Sequence, residues 1–260
     1  MAYIIPRSYI DNFSDGIEAI SSAYKQRLAA ALASIDLAQP NAEDVVVGVM
    51  QTFCKGSTQS AAYLAKRFYL GLRAIELGDL GDFEGVEDSG YVPGATQTAV
   101  RGIMSDSDPA SDGGALMMSQ LQGRLGYEVK RASGNTMYAN GETDPKRPRF
   151  ARIPQPSRSY ARGCPFCQML ASRGFAYRSA TSAGEDNHYH DDCRCVIVPS
   201  WSESPAAEGY DPNDYWDGYQ EYPSQDHSQH EANAKHRVRN RYDEGGKLKS
   251  GSGLRIDQQQ

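Results

Sequence analysis

Most of the cysteines in this 260-residue chain lie close together, four of the five falling within one short segment. The first two form a C-x-x-C motif, the last two form a C-x-C motif, and two histidines precede the second motif. Zinc prefers thiolate and imidazole ligands, and two ligands on one tight turn supply half of a tetrahedral site. The spacing therefore predicts a zinc site built from this segment. The candidate ligands are Cys164, Cys167, His188, His190, Cys193 and Cys195.

More candidate ligands are present than the four that zinc requires. The preferred set is Cys164, Cys167, His190 and Cys195. Cys193 is the main alternative to either of the last two, because a C-x-C motif can place both sulfurs on one metal, although the bite is tight. His188 is less favoured because it lies one step further from the cysteines. Four protein ligands leave no open coordination position, so we expect the Zn²⁺ to be structural rather than catalytic.

Other uses of clustered cysteines fit the sequence less well. The first residues lack the pattern of a secretory signal, and a cytosolic origin disfavours structural disulfides. A thioredoxin-like C-x-x-C would need a βαβ pattern, which is absent. A zinc deaminase places H-x-E before its cysteine pair, which reverses the order found here. An HNH-type nuclease remains the enzymatic alternative, using Asn187, His188 and His190. Cys54 lies alone in a helical pattern and is expected to be a buried apolar residue.

Charge is unevenly distributed along a chain whose net charge is −6. The acidic total argues against a dedicated nucleic-acid-binding protein. Segment 144–162 is nevertheless basic, and its prolines at 145, 148, 154 and 156 oppose helix formation. We expect an extended arm whose cations face DNA or a neighbouring protein, or alternatively pair with the acids of segment 202–226. The cations are Lys146, Arg147, Arg149, Arg152 and Arg158.

Apolar residues recur at steps of three and four through the first 140 residues, which is typical of amphipathic helices. We expect the first helix to begin with a capping box at Asp15 and Glu18 and to end before Pro40. No apolar run is long enough to span a membrane, so no membrane association is expected.

The remaining helices are delimited by capping and breaking residues. Asn41 is expected to cap a second helix, and a third helix is expected to follow Ser57 or Ser60 and to stop at Gly78. The Gly-rich acidic stretch 78–94 is predicted to be a loop. Shorter helices are predicted over 96–104 and 112–138, the latter weakened by glycines.

These features predict a mainly α fold with four parts. They are a helical body over 1–140, a Pro/Arg-rich arm over 141–162, a Cys/His zinc-knuckle module of α+β type over 163–201, and an irregular tail, acidic then basic, over 202–260. Within the module we expect a short helix from 169 and a strand over 196–199. The arms are expected to be partly disordered. The aromatic residues of the tail are expected to dock on a neighbouring protein, and they are Tyr210, Tyr215, Trp216, Tyr219 and Tyr222.

Three stretches carry a family resemblance. They are RFARIP at 149–154, C-x-x-C-x-M-L-A-S-R-G at 164–174 and Y-H-x-x-C-x-C at 189–195, which runs on to Pro199. Together they span about fifty residues and resemble the minor capsid proteins of tailed phages that infect actinobacteria, relatives of the Mu F-like head morphogenesis proteins. The N-terminal half resembles this family only in its helical character.

The resemblance implies a virion protein of the phage head, present in few copies, that associates with the portal protein and the major capsid protein. It would occupy the host cytoplasm during assembly, and its C-terminal module would fold around the Cys/His cluster. Packaged DNA is a further possible partner of the basic arm, and no small-molecule substrate is expected. No nucleophile elbow or phosphate-binding loop is present, which favours a protein without enzymatic activity. The alternative function is a zinc-containing nuclease or other DNA-processing enzyme, with acids at 185, 186, 191 and 192.

Overall fold

A computed structural model of the chain describes residues 3–79, 81–107, 114–156, 161, 163–179 and 194–220. Helices dominate these residues, as the sequence predicts. The helices are α1 (Arg7–Leu32), α2 (Ala42–Leu77), α3 (Pro93–Asp106), α4 (Ala115–Thr143), α5 (Pro165–Ala171) and α6 (Pro212–Gln220). The strands are β1 (Ile4–Ile5), β2 (Arg149–Ile153), β3 (Val196–Ser200) and β4 (Ala206–Ala207). In this part of the chain no helix is long and apolar enough to cross a bilayer.

Helices α1 and α2 pack antiparallel along most of their length. Near the start of α1, Phe13 stacks on Phe68 of α2 with ring centroids 4.2 Å apart. Further along, the hydroxyl of Tyr24 lies 3.4 Å from that of Ser60. Residue numbers therefore rise on α1 as they fall on α2, which is the arrangement that a short connection between two helices produces.

Helices α3 and α4 complete an up-down-up-down bundle. Arg101 of α3 lies 3.0 Å from Asp44 at the start of α2. Lys130 of α4 lies 3.7 Å from Glu18 of α1, and Gln122 donates to the carbonyl of Lys25 at 3.5 Å. Helix α4 is thus antiparallel to α1, and the predicted helices over 96–104 and 112–138 are confirmed with longer bounds.

The predicted capping box at Asp15 and Glu18 is wrong, because both residues lie inside α1. The helix begins after Pro6, whose extended backbone conformation ends the preceding strand. Ile10 and Phe13 in the first turns are buried in the core, so the amphipathic pattern extends further towards the N-terminus than the polar pair suggested.

The predicted second and third helices are a single helix of 36 residues. The serines expected to cap a new helix instead bond backwards within the same one. Ser57 donates to the carbonyl of Cys54 at 3.1 Å, and Ser60 donates to that of Gly56 at 3.0 Å. Such bonds satisfy a hydroxyl without interrupting a helix. The stop at Gly78 is confirmed, since this glycine adopts the left-handed conformation at φ 75°.

The loop between α2 and α3 lies along one face of α4. Asn140 of α4 donates to the carbonyl of Val86 at 2.8 Å and accepts from its amide at 2.8 Å. One turn earlier, the Thr136 hydroxyl donates to the carbonyl of Asp88 at 2.8 Å and accepts from the Asp88 amide at 3.1 Å. This segment is therefore a loop, as predicted, and α4 side chains replace the backbone partners that it lacks.

The segment expected to be an extended arm contributes a buried strand. β2 pairs antiparallel with β3, with Arg149 opposite Ser200 and Ile153 opposite Val196. On the other side of β2, Phe150 exchanges hydrogen bonds of 2.8 and 3.1 Å with Tyr177. The strand predicted over 196–199 is confirmed, whereas the prolines around β2 flank the strand rather than hold it away from the body.

Residues 202–220 are more regular than the predicted tail. β4 pairs in parallel with β1, so residues 206–207 lie beside the start of the described chain. Tyr210 donates a hydrogen bond to the carbonyl of Ala171, and its ring lies 6.1 Å from that of Phe175. Trp216 and Tyr219 of α6 pack against each other and join the core. These aromatic residues thus contact their own chain, while Tyr222 lies outside the described residues.

A buried carboxylate joins the helical bundle to the sheet. Asp144, which is 1% exposed, follows α4. One of its oxygens accepts from the Tyr69 hydroxyl at 3.0 Å, from Arg73 Nε at 2.9 Å and from the Trp201 indole at 3.0 Å. The other accepts from the Lys146 amide at 2.9 Å. Donors from α2, from the residue after β3 and from the turn before β2 therefore meet at one side chain.

Asp144→Asn is expected to lower the free energy of unfolding by about 3–5 kcal/mol, because it leaves the Arg73 charge buried without its counter-charge. Urea denaturation followed by circular dichroism measures the change. The control is Asp44→Asn, which removes an exposed carboxylate 3.0 Å from Arg101 and should cost less than about 1 kcal/mol. Equal losses in both variants would contradict the proposed importance of the buried pair.

The same network should make stability depend on pH in a defined direction. Burial alone would raise the pKa of the Asp144 carboxyl, but hydrogen bonds, led by that from Arg73, lower it below its ordinary value. Its stabilising effect is therefore complete above the unfolded pKa of about 3.9 and is lost as pH falls through the lower folded pKa. The stability difference between wild type and Asp144→Asn should shrink only below about pH 4 in denaturation curves.

Candidate metal centre

The fold brings together three of the predicted ligands from two separate segments. Cys164 caps α5 and Cys167 lies in its first turn, whereas Cys195 immediately precedes β3. Their exposed fractions are 6%, 1% and 7%, and the three side chains form one buried cluster. Residues about thirty positions apart in the sequence are therefore neighbours in the structure.

The strand pairing and one glycine explain this juxtaposition. Ile153 at the end of β2 lies opposite Val196, which follows Cys195. Gly163, at φ 86°, returns the chain so closely to Pro154 that an added Cβ would lie 2.6 Å from the proline side chain. Only glycine combines this conformation with such a close approach. The start of α5 is thereby held beside the end of β2, next to Cys195.

The C-x-x-C turn has the local geometry of a ligand pair. The amide of Cys167 donates to the sulfur of Cys164 at 3.3 Å. A donor directed at sulfur stabilises the charged thiolate, which is the form that binds metal. A short helix is present here, but its predicted start at 169 is wrong, because α5 begins at Pro165, inside the motif, and ends at Ala171.

The donor chemistry fits zinc, but the described residues supply only part of a site. Buried sulfur ligands from two segments suit a structural zinc ion, and no disulfide joins the three clustered cysteines to one another. Within the described ranges no group of three or more His, Cys, Asp or Glu side chains is arranged to hold a metal ion, so contact between the thiols does not amount to a complete site. His188, His190 and Cys193, from which a further ligand would come, lie outside the described residues.

Two aromatic rings pack against the cysteine cluster. Phe166 lies between the two cysteines of the C-x-x-C motif, and Tyr127 projects from α4 of the helical body. The guanidinium of Arg124 lies 5.1 Å from the Tyr127 ring centroid, and that of Arg152 lies 5.8 Å from the Phe166 ring centroid. No pattern in the sequence points to Tyr127, because its place beside the cysteines depends on the packing of α4.

The predicted partner-facing cations occupy different environments. Arg152 is 1% exposed, so the prediction that it faces a partner does not fit its position. Residues 150–153 of β2 are all buried, so both faces of the strand are covered at this position. Arg149 is half-buried, Lys146 and Arg147 are exposed, and Arg158 lies outside the described residues.

Lys146 and Arg147 form an exposed basic turn whose backbone is held by hydrogen bonds to Asp144. The Lys146 amide donates to the Asp144 carboxylate at 2.9 Å, and the Arg147 amide donates to the Asp144 carbonyl at 3.0 Å. Arg147 has φ 44°, the left-handed region that residues other than glycine rarely adopt. In the described part of the chain, neither cation forms an ion pair with an acid of segment 202–220.

Cys54 is buried in α2, as the sequence predicted, and is fully inaccessible. Burial raises the pKa of its thiol to about 12, and the nearby charge of Glu128 contributes in the same direction. The thiolate is the reactive form of cysteine, so this side chain should be chemically inert in the folded protein.

Cys54 is therefore expected to resist alkylation by iodoacetamide at pH 8, where roughly one thiol in ten thousand is ionised at such a pKa. Peptide mapping by mass spectrometry after labelling measures the reaction at this position. The same protein unfolded in urea is the control and should be labelled completely. Rapid labelling of Cys54 under native conditions would contradict the burial of this thiol.

The chain matches one family model over most of its length. The family is described as VG15 protein, and the match covers residues 4–222. It starts at the first residue of β1 and ends two residues after α6, so it includes both the helical bundle and the part that carries the cysteines. The chain matches no curated protein and no solved structure.

Proposed function

Because the chain belongs to the VG15 family of phage virion-gene proteins, we propose that it is a minor capsid protein of a tailed phage. In this role it acts in head morphogenesis, in contact with the portal protein and the major capsid protein. It has no enzymatic activity, belongs to the virion, and occupies the host cytoplasm while heads assemble. A Mu F-like relationship is part of the same proposal.

The observation that carries this proposal is the convergence of the resembling stretches in space. RFARI forms β2, CPFCQMLA covers the start and length of α5, and VIVPS forms β3. They form one body in which β2 pairs with β3 and α5 packs beside β2. The stretches therefore correspond to a single structural unit, which supports common descent with head morphogenesis proteins more strongly than scattered similarity would.

A phage that lacks this gene tests the role. We expect this phage to produce no infectious particles and to show empty or aberrant heads by electron microscopy. The intact gene supplied in trans should restore infectious particles. Mass spectrometry of purified wild-type virions should detect the protein at a few copies relative to the major capsid protein. Normal heads from the deletion phage, or absence of the protein from purified virions, would contradict the proposal.

The proposed role includes a structural zinc ion. Cys164, Cys167 and Cys195 would supply three ligands and His190 the fourth, with Cys193 as the alternative. When bound, zinc would hold α5 to the start of β3 and would provide folding free energy rather than chemistry. A zinc-containing nuclease stays the alternative to this proposal, and the acids it would use, at 185, 186, 191 and 192, lie outside the described residues.

The purified protein is expected to contain one zinc ion per chain, and Cys167→Ser is expected to lose it. Elemental analysis measures zinc content, and proteolysis measures the folding of segment 163–200. Cys54→Ser is the matched control, since it changes a buried cysteine on α2 outside the cluster and should keep its zinc. Wild-type protein without zinc, or an equal loss in both variants, would contradict the zinc site.

The exposed turn at Lys146 and Arg147 is the proposed contact with an acidic partner, either packaged DNA or a neighbouring virion protein. Replacing both residues with glutamine should reduce the yield of filled heads while zinc content stays unchanged. Lys55→Gln with Arg67→Gln is the control, because it removes the same charge from the exposed face of α2. Equal yields from the two double variants would exclude a specific role for the turn.

A further inference from the structure

Segment 202–220, here called the strap, returns from β3 to β1 and then to α5. Its strand β4 pairs with β1, and the Glu208 amide donates to the carbonyl of Ile5 at 2.9 Å. Its helix α6 then packs on α5, the helix that begins with the motif of Cys164 and Cys167. The strap therefore joins the start of the helical body to the part of the chain that carries the cysteines.

Arg7, the first residue of α1, holds the strap in place. Its guanidinium lies 2.8 Å from Asp11 on α1 and donates to Oε1 of Gln155, just after β2, at 2.6 Å. Its backbone amide donates to the Glu208 carboxylate at 3.1 Å. Burial raises the pKa of the Tyr215 hydroxyl on α6, whereas the charge of Arg7 and a hydrogen bond from it act to lower this pKa. Arg7 thus contacts α1, the end of β2 and two parts of the strap.

The aromatic residues of the strap lie against α5 and close to Cys195. The Tyr210 hydroxyl donates to the carbonyl of Ala171, the last residue of α5. The ring of Tyr215 lies 5.6 Å from that of Tyr210. The Cys195 side chain adds to the rise in the pKa of Tyr215, so these two side chains are within electrostatic reach of each other. The strap is therefore part of the surroundings that bury the cysteine cluster.

Few side chains of the strap are buried, in contrast to those of the helical bundle. Only Ala207, Gly218 and Tyr219 of the strap are buried. A helix of nine residues such as α6 is not stable in isolation, and β4 pairs through two residues alone. Cys54, by comparison, is fully inaccessible in a helix of 36 residues. Detachment of the strap should therefore require less free energy than unfolding of the bundle.

We infer that the strap is a cover of the cysteine cluster that Arg7 fastens and that opens without unfolding of the bundle. When closed, it keeps thiol-reactive electrophiles and thiophilic metal ions in solution from reaching Cys164, Cys167 and Cys195. When open, it admits them to sulfur atoms that are otherwise buried. The inference depends on the contacts of Arg7 and on the burial of these three thiols, and it does not require that zinc is bound.

Alkylation of the full-length protein by iodoacetamide under native conditions tests the inference, with rates measured for each cysteine by peptide mass mapping. Arg7→Gln should raise the rates at the three clustered cysteines about tenfold or more, because it raises the open fraction, while Cys54 stays protected. Arg101→Gln is the matched control, since it removes an exposed arginine that pairs with Glu43, and it should keep wild-type rates. Unchanged rates in Arg7→Gln, or an equal rise at Cys54, would overturn the inference.

A second variant changes the strap itself. Tyr215→Phe keeps the ring but removes the hydroxyl, so it should also accelerate alkylation of the three clustered cysteines and hydrogen exchange of the amides of 206–220. Tyr63→Phe is its control, because it removes an exposed hydrogen bond between tyrosine and arginine on α2. If Arg7→Gln does not fold, equal rates in these two tyrosine variants would overturn the inference. Zinc content, measured on the same samples, reports on the zinc site separately.

Discussion

The need to compensate one buried carboxylate constrains the whole arrangement. Asp144 lies at the end of α4, and its charge is tolerable in the interior only because Tyr69, Arg73 and Trp201 donate to it. Tyr69 and Arg73 belong to the longest helix, and Trp201 follows β3. Separating the bundle from the sheet would therefore remove hydrogen-bond donors from the buried carboxylate of Asp144. The part of the chain with the cysteines is consequently built onto the helical body and is not a module suspended from it.

This constraint also sets the geometry of the cysteine cluster. Trp201 and its neighbours anchor the end of β3: Glu76 of α2 accepts from the Ser200 hydroxyl at 2.9 Å and from the Trp201 amide at 2.8 Å. With the far end of β3 fixed, the pairing with β2 determines where Cys195 lies. The cluster is thus positioned by hydrogen bonds that do not involve sulfur. A metal ion bound there would find three ligands already gathered, which lowers the ordering cost of binding.

How much the sequence could predict depended on whether the signal was local. The 3.6-residue periodicity predicted most of the bundle, and the spacing of Cys164, Cys167 and Cys195 predicted their meeting. The prediction from local sequence was wrong at β2. Its prolines and arginines indicated an exposed arm, but the segment pairs with β3 and is buried. The prediction from local sequence was wrong again at Ser57 and Ser60, where hydroxyls bonded within a helix that continued. The environments of Arg152 and Tyr127 depend on residues distant in sequence, and no periodicity encodes them.

The burial of β2 changes what kind of contact the basic segment can make. On an extended arm, Lys146 and Arg147 would lose conformational freedom on meeting a partner, and that loss opposes binding. Here the Asp144 carboxylate accepts from the Lys146 amide and the Asp144 backbone carbonyl accepts from the Arg147 amide. The carboxylate is itself held by donors from α2 and by Trp201. The two cations are therefore presented on a rigid support, in a conformation that includes the uncommon φ of Arg147. On the proposed role, a contact made by this turn orients the entire bundle against the portal or capsid, because the turn cannot move without the network beneath it.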